Sequence, residues 1–209
     1  MTDSIIFYHN PMSRGQIVRW MLEEVGAAYE TVLLDYEGGM KTADYLAVNP
    51  MGKVPAIIHE GHIVTECAAI CAYLADTFPS ANLAPALDDR ADYYRWLFFA
   101  AGPVESAVTN NALGFEIPEG RERMAGYGSF EQAIATLEKA VSGAAWICGD
   151  QFTAADVYVG SQVDFGLTFK SIPATPVLEA YASRLRERPA YKRQKAFDAA
   201  LIEDMQKPA

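Results

Sequence analysis

Basic charge is scarce in this 209-residue chain, where 17 Lys and Arg stand against 27 Asp and Glu for a formal net charge of −10. A nucleic acid or an anionic membrane face as main partner needs a basic footprint, and the balance runs the other way. Cysteine is sparse as well. Cys67, Cys71 and Cys148 cannot close a disulfide framework, which fits a reducing compartment. Long apolar runs are missing: the longest, Cys67 to Ala75, is nine residues, against the roughly 18 to 20 of a spanning helix. Met-Thr-Asp-Ser at the start shows no basic n-region of a signal peptide. Neither a Gly-rich phosphate loop nor a Gly-x-Ser-x-Gly elbow occurs. What is present is an ordinary globular composition, 51% hydrophobic and 21% charged. These features predict a soluble, acidic, cytoplasmic protein, long enough for one large domain or two small ones.

The pattern divides near residue 80. Ile5-Ile6-Phe7-Tyr8 is a short β-prone run stopped by Asn10-Pro11. Ile17, Met21, Glu24 and Val25 then share one helical face, with Gly26 as the stop. Thr31 to Leu34 reads as a second strand. Val54 to Ile58 and Ile63 to Thr65 flank Glu60-Gly61 as a hairpin, and Glu66 to Phe78 reads as an Ala-rich helix ended by Pro79. This order, with a small helix before the hairpin, fits one α/β unit. Residues 81–87, with Asn82 and Pro85, read as a linker. Beyond them the signals are helical: Ala91 to Ala112 with a break at Gly102-Pro103, the Phe130, Ile134, Leu137 and Val141 stripe, Pro176 to Arg188, and Tyr191 to Leu201. Thr153 and Asp156 spell a capping box, with Phe152 and Val157 as its staple.

Three stretches carry polar groups suited to chemistry. Tyr8-His9-Asn10-Pro11-Met12-Ser13-Arg14 joins the first strand to the first helix. A hydroxyl at a helix N-terminus suits an anion, and Arg14 adds fixed charge; the plainer reading makes Ser13 a helix cap and Tyr8 a half-buried strand residue. Asn49-Pro50-Met51-Gly52-Lys53-Val54-Pro55 puts a proline at the head of a strand, the mark of an edge strand or a cis bond. With a cis bond, the Val54 main chain is free to pair with a peptide-like ligand. Thr65-Glu66-Cys67 opens a helix. There Glu66 is either a dipole partner or a ligand for an ammonium group, and Cys67 either an activated thiol or an inert buried one. His59 and His62 lack a third metal ligand nearby and read as incidental, so no metal is expected.

Together with the Arg19-to-Gly26 helix end and the Thr153-to-Asp156 cap, these motifs resemble the glutathione S-transferase superfamily, nearly end to end. The resemblance implies a thioredoxin-like α/β domain over 1–80, the 81–87 linker, and an all-α domain over 88–209 forming the hydrophobic substrate site. It implies a homodimer, glutathione as co-substrate, and a small hydrophobic electrophile as the second substrate, with detoxification as the role. Carried over residue by residue, Val54 before a cis Pro55 would pair with the cysteinyl backbone of glutathione. Glu66 and Cys67 would hold its γ-glutamyl end, and Lys53 would meet its glycyl carboxylate. Cys67 stands where Ser is common, so a hydroxyl contact is lost while the N–H remains. Counting back from Gly26, Met12 falls where serine-type members have their Ser, Ser13 one residue later, Tyr8 at the tyrosine-type position and Arg14 at that of a supporting Arg. Ser13 is favoured as the group that ionises the thiol, and Tyr8 is held in reserve. Phe99, Val104 and Phe115 are the expected apolar walls. Two alternatives share the scaffold: a glutathione-dependent peroxide or disulfide reductase, which would draw on Cys67, and a non-catalytic partner-binding module.

Overall fold

Ile5, Phe7 and His9 are buried while Ile6 and Tyr8 between them are half-buried, the period-2 alternation of a strand with two unlike faces. That strand, β1 (Ile5–His9), is central to a four-stranded sheet. The computed structural model describes residues 4–207. By its contacts the chain forms two units, the residues up to Leu83 together with those from Glu187 onward, and Ala84–Arg186.

In the first unit β1 pairs parallel with β2 (Tyr29–Leu33) and antiparallel with β3 (Ala56–His59), which pairs antiparallel with β4 (His62–Thr65). The order is β2-β1-β3-β4, the expected thioredoxin-like α/β arrangement. A crossover helix, α1 (Gly15–Val25), joins the two parallel strands and ends at Gly26. It buries Ile17, Val18, Trp20, Met21 and Leu22, each large side chain worth about 1.5–3 kcal/mol. A short helix, α2 (Ala43–Val48), leads to the loop before β3, and α3 (Cys67–Thr77) follows β4 and packs on α1.

In the second unit α4 (Ala91–Phe99) runs into α5 (Glu105–Ala112) through a wide π-type turn at Ala100–Val104. The break expected at Gly102-Pro103 is this turn. Pro103 has no N–H to give, and the chain widens rather than stops, with the Glu105 N–H reaching the Ala100 carbonyl. Three helices follow: α6 (Phe130–Ser142), α7 (Ala154–Thr168) and α8 (Pro176–Arg186). α7 is buried on nearly every side and starts with the reciprocal capping box of Thr153 and Asp156. Asp156 is the hub there, taking the Thr153 N–H at 2.9 Å, the Ile147 N–H at 2.8 Å and the Tyr181 hydroxyl at 2.8 Å.

The last helix departs from expectation. α9 (Pro189–Gln206) was placed by its pattern with the helical domain, yet it packs on α1 in the first unit. The reason is charge. Arg188 meets Glu24 of α1 through two contacts at 2.6 and 2.7 Å, and Arg193 meets Glu23 at 2.8 Å. Tyr191 sets the edge of its ring against Trp20, with centroids 5.1 Å apart. Among the described residues no helix is long and apolar enough to cross a membrane.

The capping box yields a stability test. Thr153→Ala removes one of the two reciprocal bonds and should cost about 1–2 kcal/mol, a fall of a few degrees in Tm by calorimetry.

Candidate active site

The turn between β1 and α1 is built on Asn10, which is 1% exposed. Its carboxamide donates to the Leu34 carbonyl at 2.8 Å and accepts the Met12 N–H at 2.9 Å, an Asx turn. Its own carbonyl accepts the Ser13 N–H at 3.0 Å and the Ser13 hydroxyl at 2.7 Å. Ser13 Oγ in turn accepts the Gly15 N–H at 2.9 Å. Arg14, not Ser13, holds the N-cap position of α1; Ser13 stands one residue before it and bonds the first helical N–H. The same bond sets an oxygen beside the first turn of α1, where the helix dipole is positive. Arg14 and Met12 beside it are exposed. Gly15 is needed for a steric reason: a Cβ there would overlap the His9 ring.

Tyr8 is elsewhere. Alternation along β1 sends Phe7 and His9 to the face that α1 covers and Tyr8 to the other. Tyr8 packs against Met40, Tyr45 and Ala56, its ring centroid 5.1 Å from that of Tyr45.

The loop before β3 repeats the device. Asn49, 4% exposed, accepts the Met51 N–H at 3.1 Å and donates to the Lys53 carbonyl at 2.7 Å, and the Tyr45 hydroxyl donates to the same carbonyl at 2.6 Å. Burial pushes the Tyr45 phenol up to about 12, so it stays a donor throughout the physiological range. Lys41 Nζ reaches the Met51 and Gly52 carbonyls at 3.2 and 2.9 Å. Gly52 has φ +57°, and a Cβ would crowd both Lys41 Nζ and the Met40 carbonyl at 2.7 Å. The Val54–Pro55 bond is cis. Pro55 does not sit in an edge strand, since β3 lies inside the sheet and its ladder starts only at Ala56. The Val54 N–H and carbonyl bond no main-chain group among the described residues, while the Lys53 side chain is exposed.

At the start of α3, Glu66 is exposed and holds φ +67°, ψ 120°. For a residue with a Cβ this conformation costs on the order of 1–3 kcal/mol, a strain that clusters at functional sites. Cys67 is 8% exposed, its thiol turned to the Arg14 carbonyl at 3.6 Å. That contact joins the starts of α1 and α3. Met12, Ser13, Arg14, Glu66 and Cys67 are thereby brought to one end of the first unit, and Tyr8 packs with Val54 around the Tyr45 cluster.

The three expected wall residues lie in the second unit. Phe99 is half-buried at the end of α4 with Trp96 at 5.7 Å between centroids, and Phe115 is 65% exposed after α5. Val104 is 1% exposed, its side chain committed to packing inside the wide turn. His59 bonds the Tyr73 hydroxyl at 3.0 Å and His62 is exposed. Sequence reasoning missed Asn10, Asn49, Tyr45 and Lys41. The signal for the asparagines was the Asn-Pro dipeptide, which favours turn initiation; Tyr45 and Lys41 left none.

A family model described as "Glutathione S-transferase, N-terminal domain" matches residues 3–76. The chain is 30% identical over 150 residues to a glutathione S-transferase of Escherichia coli O157:H7, covering 70% of this chain and 74% of that protein. Among solved structures it resembles a glutathione transferase of Methylococcus capsulatus, with TM-score 0.77 and 27% identity over 94% of this chain and 99% of that one. A sphingomonad glutathione S-transferase complexed with glutathione is similar too, with TM-score 0.76 and 29% identity over 93% of this chain and 98% of that one.

Asn10 is the residue on which the turn's stability can be tested. Asn10→Ala removes the part-buried bonds to the Leu34 carbonyl and the Met12 N–H, and at about 0.5–1.5 kcal/mol net for each the loss should reach about 1–3 kcal/mol by urea denaturation.

Proposed function

The chain belongs to the glutathione S-transferase superfamily, and on that premise we propose that it binds glutathione and ionises its thiol at the start of α1 for transfer to a small hydrophobic electrophile. The relative from a sphingomonad was solved with glutathione bound, which supports the ligand. Val54, with a main chain that bonds no backbone group among the described residues, pairs with the cysteinyl backbone as an added strand would. Glu66 takes the ammonium of the γ-glutamyl end and the Cys67 N–H its carboxylate. Lys53, and with it Lys41, supplies positive charge for the glycyl carboxylate.

The task is thiol ionisation. A thiol near pKa 8.5 is only a few per cent thiolate at neutral pH, yet the thiolate is the nucleophile. Lowering that value by about 1.5–2 units takes about 2–3 kcal/mol of preference for the anion. Ser13 gives its proton to the neutral Asn10 carbonyl at 2.7 Å. Turning it to a thiolate exchanges a neutral acceptor for a charged one, roughly doubling the bond's strength. The N-terminal dipole of α1 and the Arg14 charge add to this. Tyr8 is set aside because it faces the sheet surface away from α1. The thiolate then attacks the electrophile. The same reading takes the active species to be a cytoplasmic homodimer.

The observation that carries this reading is the Asn10-built turn that sets Ser13 Oγ against the first N–H of α1. Ser13→Ala should slow conjugation of glutathione to a model aryl halide at least about tenfold with glutathione affinity kept. An unchanged rate moves the role away from Ser13.

One observation favours a second reading, a glutathione-dependent reductase: the Cys67 thiol lies 3.6 Å from the Arg14 carbonyl, beside the same helix start. Cys67→Ser separates the two. Conjugation should stay within about twofold of wild type if transfer is the activity, whereas a reductase loses its disulfide reduction.

A further inference from the structure

We propose that His9 is a positioning residue for this site: locked by Asp198 of the last helix, it fixes where the first turn of α1, and with it Ser13, stands. The proposal rests on the thiolate reading above. His9 closes β1 and is 0% exposed. The point a Cβ on Gly15 would occupy overlaps His9 Nδ1 and lies 3.0 Å from Ser13 Oγ. Ring and hydroxyl therefore both border the point where a side chain on the first residue of α1 would begin.

The other ring nitrogen is held. His9 Nε2 is 2.8 Å from Asp198 Oδ1, which also pairs with Arg19 Nε at 2.9 Å, while Asp198 Oδ2 accepts from Gln194 at 2.6 Å. A carboxylate so surrounded by donors only accepts, which assigns the imidazole proton to Nε2 and leaves Nδ1 a lone pair. Nδ1 has no partner. It is the lone pair, rather than an N–H, that faces the positive end of α1. The charged groups acting on the ring are Asp198 from α9 and Arg19 from α1; burial, helped by the Arg19 charge, outweighs Asp198 and pushes His9 below its ordinary range, so the ring is neutral.

Packing alone does not call for such a cluster. Apolar side chains of the same volume fill a core at least as stably as a buried ion pair. What the carboxylate adds is orientation: one tautomer, one ring direction, and a common anchor for the end of β1 and the body of α1. Because α9 is itself clamped to α1 through Glu23 and Glu24, Asp198 is positioned by the helix whose start it steadies. A displacement of about 1 Å at a reacting group can cost on the order of a hundredfold in rate.

The test follows the ultraviolet absorbance of bound glutathione thiolate against pH, with affinity measured by calorimetry. In His9→Leu the thiolate should appear at least about one pH unit higher than in wild type, with glutathione Kd within about threefold. His9→Gln, whose amide N–H can reach Asp198, should bring most of the titration back. Gly15→Ala, which helix propensity alone favours, should displace the ring and raise the titration likewise, so the result does not hang on one variant folding. The proposal is overturned if His9→Leu or Gly15→Ala titrates with wild type whatever its Tm, or if His9→Gln is no better than His9→Leu. A wild type that binds glutathione with its thiol protonated throughout sinks the functional reading itself, and that outcome is visible before any variant is made.

Discussion

Main-chain polar groups released where β1 ends and where the chain enters β3 have no ladder to join, and the rest of the first unit depends on two asparagines that satisfy them. Asn10 and Asn49 do the same work in the same way. Each opens an Asn-Pro-Met turn and accepts the methionine N–H two residues on; Asn10 then donates across to the Leu34 carbonyl and Asn49 to the Lys53 carbonyl of its own loop. An unsatisfied buried amide or carbonyl costs as much as a good hydrogen bond gains. The two loops are therefore rigid because their alternatives are expensive, and rigid loops can present a hydroxyl and an open main-chain edge without collapsing on them.

A second constraint acts from below. Arg19 is 4% exposed, surrounded by Phe7 and Tyr29, with Asp198 as its countercharge. Tyr29 donates to Glu23 at 2.9 Å, Glu23 meets Arg193, and Trp20 donates to Glu24, which meets Arg188. The polar face of α1 is thus wholly committed to α9 and β2.

The fold was legible where period and punctuation agreed. The strand of Ile5 to Tyr8, the hairpin about Glu60-Gly61 and the Thr153 cap were all readable, because each is settled by neighbours in sequence. α9 was not. Its residues show a helix, but which surface it covers depends on Arg188, Arg193 and Asp198 finding Glu24, Glu23 and Arg19 far back in the chain, and no local pattern carries that. The same limit applies to the site. The Ser13 turn, the Val54-Pro55 dipeptide and Glu66 stood out by composition. Tyr45 and Lys41 support Lys53 and Gly52 from a helix start that looks like any other, and His9 was passed over as one more residue of a strand end.

The return of α9 to the first unit has a bearing on how the molecule is made. His9 and Asp198 are 189 positions apart, and Glu24 and Arg188 are 164 apart. A growing chain usually completes its leading part first. Here the leading part lacks a wall until the helical unit between its two pieces has been made, and until then Asp198 is not there to balance Arg19. The α/β unit, first in order of synthesis, is therefore the last to be finished, and the helical unit encoded between its two pieces can mature before it.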